Sequence, residues 1–156
     1  MIIKPNPYRV RSERRITMKK YISLVLALLC AVVLFVGCSN KSSYQTTEIE
    51  NVNIRISNIS SAGATVIITD TNDKPFEYGE WYKIEKEING KWCEIKTIID
   101  SYGFSEVGYL LEENSKNKEI KFDIDWKWLY GELPSGKYRL LKQVNNQYIS
   151  VTFDIV

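Results

Sequence analysis

Few side chains in this sequence could do chemistry. The chain has 156 residues, three cysteines and no histidine. The missing histidine removes the usual general base at neutral pH and the commonest zinc ligand. Serines are present, but no motif pairs one with an activating base, and a Ser-Lys arrangement has no pattern behind it. No glycine-rich phosphate loop, metal-ligand spacing or nucleotide fingerprint occurs. The sequence therefore predicts no catalytic residue, no metal and no cofactor. Cys30 lies inside an apolar run, Cys38 ends it, and Cys93 stands alone further along. This is not the even set of a disulfide-stapled secreted domain, so no disulfide framework is expected. Cys93 reads as a small inward-facing hydrophobe; the alternatives are an intermolecular bridge and a reactive thiol, which Lys86 opposite it leaves open. Asp123 and Asp125 share a strand face with Lys121. Calcium needs six or more oxygens on a folded loop, so the pair reads as a solvated face.

The aromatic residues are a larger surplus, with four tryptophans and ten tyrosines. Trp126, Tyr130 and Tyr138 read as core and corner. Trp81 and Trp92 fall on the less apolar face of a hairpin, and Trp128 is out of phase with Trp126. Tyr102 and Phe104 tip the stretch from Asp100 to Tyr109, which carries glycines at 103 and 108. Exposed aromatics favour sugar or protein partners, and loops on a rigid scaffold often carry recognition. Trp81, Trp92, Tyr102, Phe104 and Trp128 are the candidate binding residues. The competing reading packs them under the Ile99–Val107 connection or against a second sheet.

The N-terminal end sets the address. Tyr21 to Val36 is an uncharged apolar run preceded by Met18-Lys19-Lys20 and followed by Gly37-Cys38. A charged start, an apolar core and a small residue at the processing point make a secretory signal. The run is shorter than the roughly 20 residues of a spanning helix. Val36-Gly37-Cys38 resembles the lipobox of bacterial lipoproteins, with Phe35 where that pattern prefers leucine. The resemblance implies that Cys38 is diacylated and becomes the mature N-terminus, since stable anchoring takes two chains. Residues 18–37 are then a signal peptide and 38–50 a flexible polar tether. Residues 1–17 precede an already complete signal and read as upstream of the true start. Residues 1–38 hold seven of the 21 basic residues and one of the 19 acids, leaving 14 basic and 18 acidic beyond Cys38. A mildly acidic exported part excludes a nucleic-acid surface. The expected location is the extracytoplasmic face of the cell membrane, lipid-anchored.

The remaining residues, 51–156, must position the aromatics, and their dominant period is two. Val52, Ile54 and Ile56 alternate with polar residues, as do Ala64, Val66 and Ile68, and Ile120, Phe122 and Ile124. One sheet face on a core and one in water requires this pattern. Asn89-Gly90 is a type I′ turn signal pairing Ile88 with Lys91, Glu87 with Trp92, Ile84 with Ile95 and Tyr82 with Thr97. Asn145-Asn146 pairs Tyr138 with Phe153, Leu140 with Val151 and Lys142 with Ile149. With a weak strand near Tyr109–Glu112, about seven to eight short strands argue for an all-β antiparallel sandwich. Tyr138, after Leu133-Pro134-Ser135-Gly136, reads as a tyrosine corner bonded back to the corner backbone.

The run from Gly63 to Lys96, followed by Asp125 to Lys142, resembles a bacterial immunoglobulin-like domain common in Gram-positive lipoproteins. The recurring elements are Asn72, Tyr78-Gly79, Asn89-Gly90-Lys91-Trp92, Trp126 with Leu129-Tyr130-Gly131, and Gly136-Lys137-Tyr138-Arg139. Cys93 stands where that family usually has an aromatic. The resemblance implies an Ig-like sandwich and supplies no ligand residues. The leading functional expectation is a lipid-anchored binding or sensing module without catalysis, its partner an envelope protein or glycan. The alternatives are a protease inhibitor wedging Ile99–Val107 and Asp73–Pro75 into a cleft, and a cell-envelope hydrolase.

Overall fold

The computed structural model describes residues 40–111 and 118–156. Eight strands and one short helix follow in chain order: β1 Val52–Ser57, β2 Gly63–Asp70, β3 Glu77–Ile88, β4 Lys91–Glu94, β5 Gly108–Leu110, β6 Glu119–Asp125, α1 Lys127–Tyr130, β7 Gly136–Val144 and β8 Gln147–Ile155. They form two antiparallel sheets. One has the order β1-β2-β6; the other has β4-β3-β7-β8, with β5 also on β3. This is the expected all-β sandwich. The expected signal peptide, Cys38 and residues 112–117 lie outside the described residues.

The inner residues of the alternating strands meet between the sheets. Val66 and Ile68 of β2 pack with Ile84 of β3, Leu140 of β7 and Trp126, all fully buried. At about 25 cal/mol per Å² of apolar surface removed from water, this core is the main stabilising contribution. Gly63 starts β2 because its backbone meets β6 closely: a Cβ there would lie 2.4 Å from the Ile124 carbonyl oxygen. Asp70 ends β2 and ties it to the second sheet. Its Oδ2 accepts from the Tyr78 hydroxyl and the Phe76 N–H, both at 2.8 Å, and its Oδ1 accepts from the Asn72 amide groups. Burial alone would raise the Asp70 pKa; these hydrogen bonds outweigh it and hold the carboxyl below its ordinary value.

Both hairpins close as their turns dictate. Asn89 and Gly90 take φ of 52° and 73°, and Ile88 pairs with Lys91 and Glu87 with Trp92. The Asn145 hairpin has every expected pair from Tyr138–Phe153 to Lys142–Ile149. The Tyr138 hydroxyl donates to the Pro134 carbonyl at 2.6 Å, completing the corner. One register expectation fails. The β3–β4 ladder stops at Glu85–Glu94, so Ile84–Ile95 and Tyr82–Thr97 do not form. Beyond Glu94 the chain turns to α1, where the Ile98 N–H donates to the Leu129 carbonyl, and Ile95 and Ile99 pack on the core instead of extending the sheet edge.

The segment read as a flexible tether is also different in its described part. The Glu94 N–H donates to the Asn40 carbonyl and the Ser42 N–H to the Trp92 carbonyl, so residues 40–42 run alongside β4. The chain then crosses the outer face of the larger sheet to Tyr148 of β8, where the Thr47 N–H donates to its carbonyl. Beneath it lies a buried ion pair, the Arg139 guanidinium on Glu85 at 2.6 Å, and Arg139 also donates to Ser42 Oγ and the Tyr44 carbonyl. A polar segment without periodicity looks like a spacer in sequence. It is held by backbone pairing and one aromatic, Tyr44, neither of which needs an apolar repeat.

Candidate functional site: an aromatic corner beside an acidic cleft

β3 carries an irregularity that shapes the site. Tyr78 pairs with Val144 but Tyr82 pairs with Lys142, so β3 spends two more residues than β7 between these pairs. Such a bulge frees backbone groups and re-aims side chains, and bulges are over-represented next to functional sites. Within the bulge, the Gly79 carbonyl accepts from Lys142 Nζ at 2.5 Å. Lys142 is fully buried, with its ammonium 3.9 Å from the Phe122 ring centroid. Burial pushes its pKa down to about 8, against a smaller opposing pull from Glu80.

Glu80, on the same strand face as Tyr82, lines a cleft of about 440 Å³ between β3, β5 and β6. Its walls include Tyr82, Phe104, Tyr109, Phe122 and Trp128, with Glu80, Asp123 and Asp125 as acids and Lys121 as the one basic residue. Each carboxylate is oriented by a donor. Glu80 accepts from the Tyr109 hydroxyl at 2.8 Å, Asp123 from Thr65 Oγ1 at 2.7 Å and Asp125 from the Lys127 N–H at 2.9 Å. Tyr82 donates to the Asp125 carbonyl at 3.1 Å, and burial pushes its hydroxyl up to about 12, so it is a neutral donor at physiological pH.

At the mouth of the cleft, loop 95–107 sets Tyr102 and Phe104 against Trp128 of α1. The three ring centroids are 6.0–6.1 Å apart, and every pair meets at 74° to 89°. Phe104 also packs on Tyr82 at 5.1 Å, which anchors the loop. Tyr102 and Trp128 remain 45% and 41% exposed, an unusual cost in apolar surface for two large side chains side by side. Among the described residues no three metal-ligating side chains gather.

A family model described as a bacterial Ig-like domain matches residues 45–154. The chain belongs to the bacterial Ig-like domain family. No curated protein and no solved structure matches it. The matched region begins at residue 45, one residue beyond Tyr44, and takes in the end of the crossing segment with the sandwich. The bacterial Ig-like domain gives no catalytic constellation to compare, so its site rests on the geometry above.

Of the five aromatics singled out by sequence, Tyr102, Phe104 and Trp128 come together. Trp81 and Trp92 do not join them. Alternation along the strands puts both on the outer face of the larger sheet, whereas Tyr82 and Ile84 face in. Trp81 packs with Tyr44 and Tyr148 at 6.0 and 5.4 Å, and the Arg139 guanidinium lies 5.0 Å over the Trp92 ring. They serve the crossing segment. Cys93 departs from expectation too: it is buried as anticipated, but in a disulfide. Its partner lies outside the described residues. Counting cysteines misses this because pairing depends on which distant segments meet. Lys86, read as a possible neighbour of a reactive thiol, instead donates to the Ser135 carbonyl and lies over the Tyr138 ring. Asp123 and Asp125 are exposed, as a solvated face requires, yet they also wall the cleft. Sequence reasoning missed Glu80 and Lys142. Lys142 sat on the inward face of its hairpin register, which was the available signal.

Proposed function

We propose that this protein is a lipid-anchored, extracytoplasmic binding module without catalytic activity, attached through Cys38 and recognising its ligand at the Tyr102–Phe104–Trp128 corner and the adjoining cleft. The observation that carries the reading is the pair of large exposed rings, Tyr102 and Trp128, held by an anchored loop at the mouth of a preformed cavity. Pockets that bind small molecules have this size and this mix of aromatic walls with few placed polar groups. Membership of the Ig-like family supports a scaffold that presents loops, and the absence of histidine from the chain agrees with binding rather than hydrolysis. Phe104 is tucked onto Tyr82 and not projected, which suits a pocket wall better than an inhibitory wedge.

Two measurements test the two halves separately. In a Gram-positive host, wild-type protein should fractionate with membranes and Cys38→Ser should not; equal membrane retention of both would remove the lipid anchor. Purified wild-type protein should retain an envelope component, protein or glycan, that Trp128→Ala releases. Identical retention by both would remove the corner as the site.

A further inference from the structure

We propose that the ligand of this cleft presents an alkylammonium group, which sits against the aromatic corner and is balanced by the carboxylates behind it. The proposal rests on the binding-module reading and adds the ligand's chemistry. Two features choose a cation over a neutral sugar. The first is ring geometry. A sugar stacks its flat C–H face on one aromatic platform, or on rings lying in one plane. Here Tyr102, Phe104 and Trp128 stand pairwise at 74° to 89°, as three walls of a corner. Walls at right angles can offer several π faces to one compact charge, as in the aromatic cages that hold quaternary ammonium groups.

The second feature is charge. Glu80, Asp123 and Asp125 line the cleft against Lys121 alone. Among the described residues none of these three carboxylates is in a salt bridge; the ion pairs fall on Glu119, Glu94, Glu132, Glu87 and Glu85. Their oriented donors are neutral: a tyrosine hydroxyl, a threonine hydroxyl and a backbone N–H. The buried Lys142 ammonium offsets Glu80 in part, since each acts on the other through the bulge. Lys127 also acts on Asp125, but its ammonium is paired with Glu132 at 2.7 Å, so Asp123 and Asp125 keep negative charge to complement an incoming positive group. Lys142 shows that the same wall already accepts an ammonium on a ring, 3.9 Å from the Phe122 centroid. A cavity of about 440 Å³ fits a small organic cation or the end of a basic side chain.

The test uses the full-length protein in a non-ionic polyoxyethylene detergent and titration calorimetry. The probes are choline, its uncharged isostere 3,3-dimethylbutan-1-ol, and N-acetylglucosamine. Choline should bind at least tenfold more tightly than the isostere. Asp123→Asn/Asp125→Asn keeps the hydrogen-bond acceptors and removes two charges, so it should weaken choline at least fivefold. Trp128→Ala should abolish binding while the far-UV circular dichroism stays unchanged. Equal binding of the isostere, or binding of the sugar alone, would overturn the ammonium class and leave the cleft as a site. Absence of heat with every probe would overturn the proposal, while membrane fractionation of Cys38→Ser would still report on the anchor.

Discussion

Lys142 shows what one buried charge does to this fold. Its ammonium donates to the Gly79 carbonyl at the bulge and lies on the Phe122 ring, which offsets only part of the desolvation cost. With the folded pKa lowered to about 8 from 10.5, the unfolded chain holds the proton between these values and the folded chain does not. Stability must therefore rise with pH from about 8 towards 10.5, by about 3 kcal/mol over the whole interval, the burial cost being complete below 8. The opposite slope begins near pH 10, because burial raises the pKa values of Tyr78, Tyr82 and Tyr130. Urea unfolding between pH 7.5 and 9.5 should show the rise in wild type and a flat response in Lys142→Met; parallel curves would refute the assignment. The neighbouring ion pair makes a separate case. Glu85 is fully buried and its Oε1 has no hydrogen-bond partner, so Arg139 is its main compensation. Arg139→Ala should cost about 3–5 kcal/mol, because it strands a buried charge, whereas Glu85→Gln/Arg139→Met should recover most of that. A double variant as unstable as the single one would contradict this account. At this scale the site was partly legible. Aromatic residues out of phase with a strand, such as Trp128, announce exposure. Glu80 looks like an ordinary strand acid on the face of Tyr78 and Tyr82, and the cleft beside it depends on how β5 and β6 meet β3.

At the scale of elements, the crossing segment 40–47 is the piece with the most structural consequence and the least sequence signal. It lies on the outer face of β3 and β7, where Leu141 is fully buried although alternation points it away from the core. Tyr44 is its anchor, meeting Tyr148 edge-on at 4.9 Å and Trp81 at 6.0 Å, with Lys83 Nζ 4.8 Å from its ring centroid. Aromatic pairs contribute about 0.5–1.5 kcal/mol each beyond area burial, so Tyr44→Ala should lower stability by about 1–2 kcal/mol. It should also speed hydrogen exchange at Ser42 and Thr47, whose N–H groups donate to Trp92 and Tyr148. An unchanged urea midpoint with unchanged exchange would mean that the segment does not hold this place in solution. The hairpins were readable for the opposite reason. Asn89-Gly90 and Asn145-Asn146 fix their registers by local backbone preference, and period-two alternation then assigns the faces. The pairing of β2 with β6, and the departure of the chain after Glu94, depend on contacts between segments far apart in sequence, for which alternation carries no information.

For the whole molecule, the decisive question is what happens to sulfur. Cys93 is held in a disulfide, and the only other cysteines are Cys30 and Cys38. Lipoprotein processing would remove Cys30 with the leader and consume the Cys38 sulfur in a thioether, so the bridge and the lipid are alternative states of the chain. Which state is mature also decides how the module stands. One residue, Ser39, separates Cys38 from Asn40, a span of at most about 7 Å, and Asn40 is already bonded to β4. A lipidated Cys38 would therefore seat the sandwich against the bilayer with no spacer, and the β4 side would face it. Our reading favours the lipid in mature protein, because a stable anchor needs two acyl chains and a diacylglyceryl cysteine supplies both. Proteolysis of membrane-extracted protein without reduction, followed by mass spectrometry, separates the states. The expected result is an N-terminal peptide beginning at Cys38 and carrying the diacylglyceryl mass. Recovery of the Cys38 peptide linked to the Cys93 peptide would overturn it, and would make the bridge the clasp that fastens the crossing segment to β4. The two outcomes differ in one further observable. Reduction should leave the stability of the lipidated form unchanged, whereas it should lower that of the bridged form, since closing a loop of this length with a disulfide typically contributes about 2–4 kcal/mol.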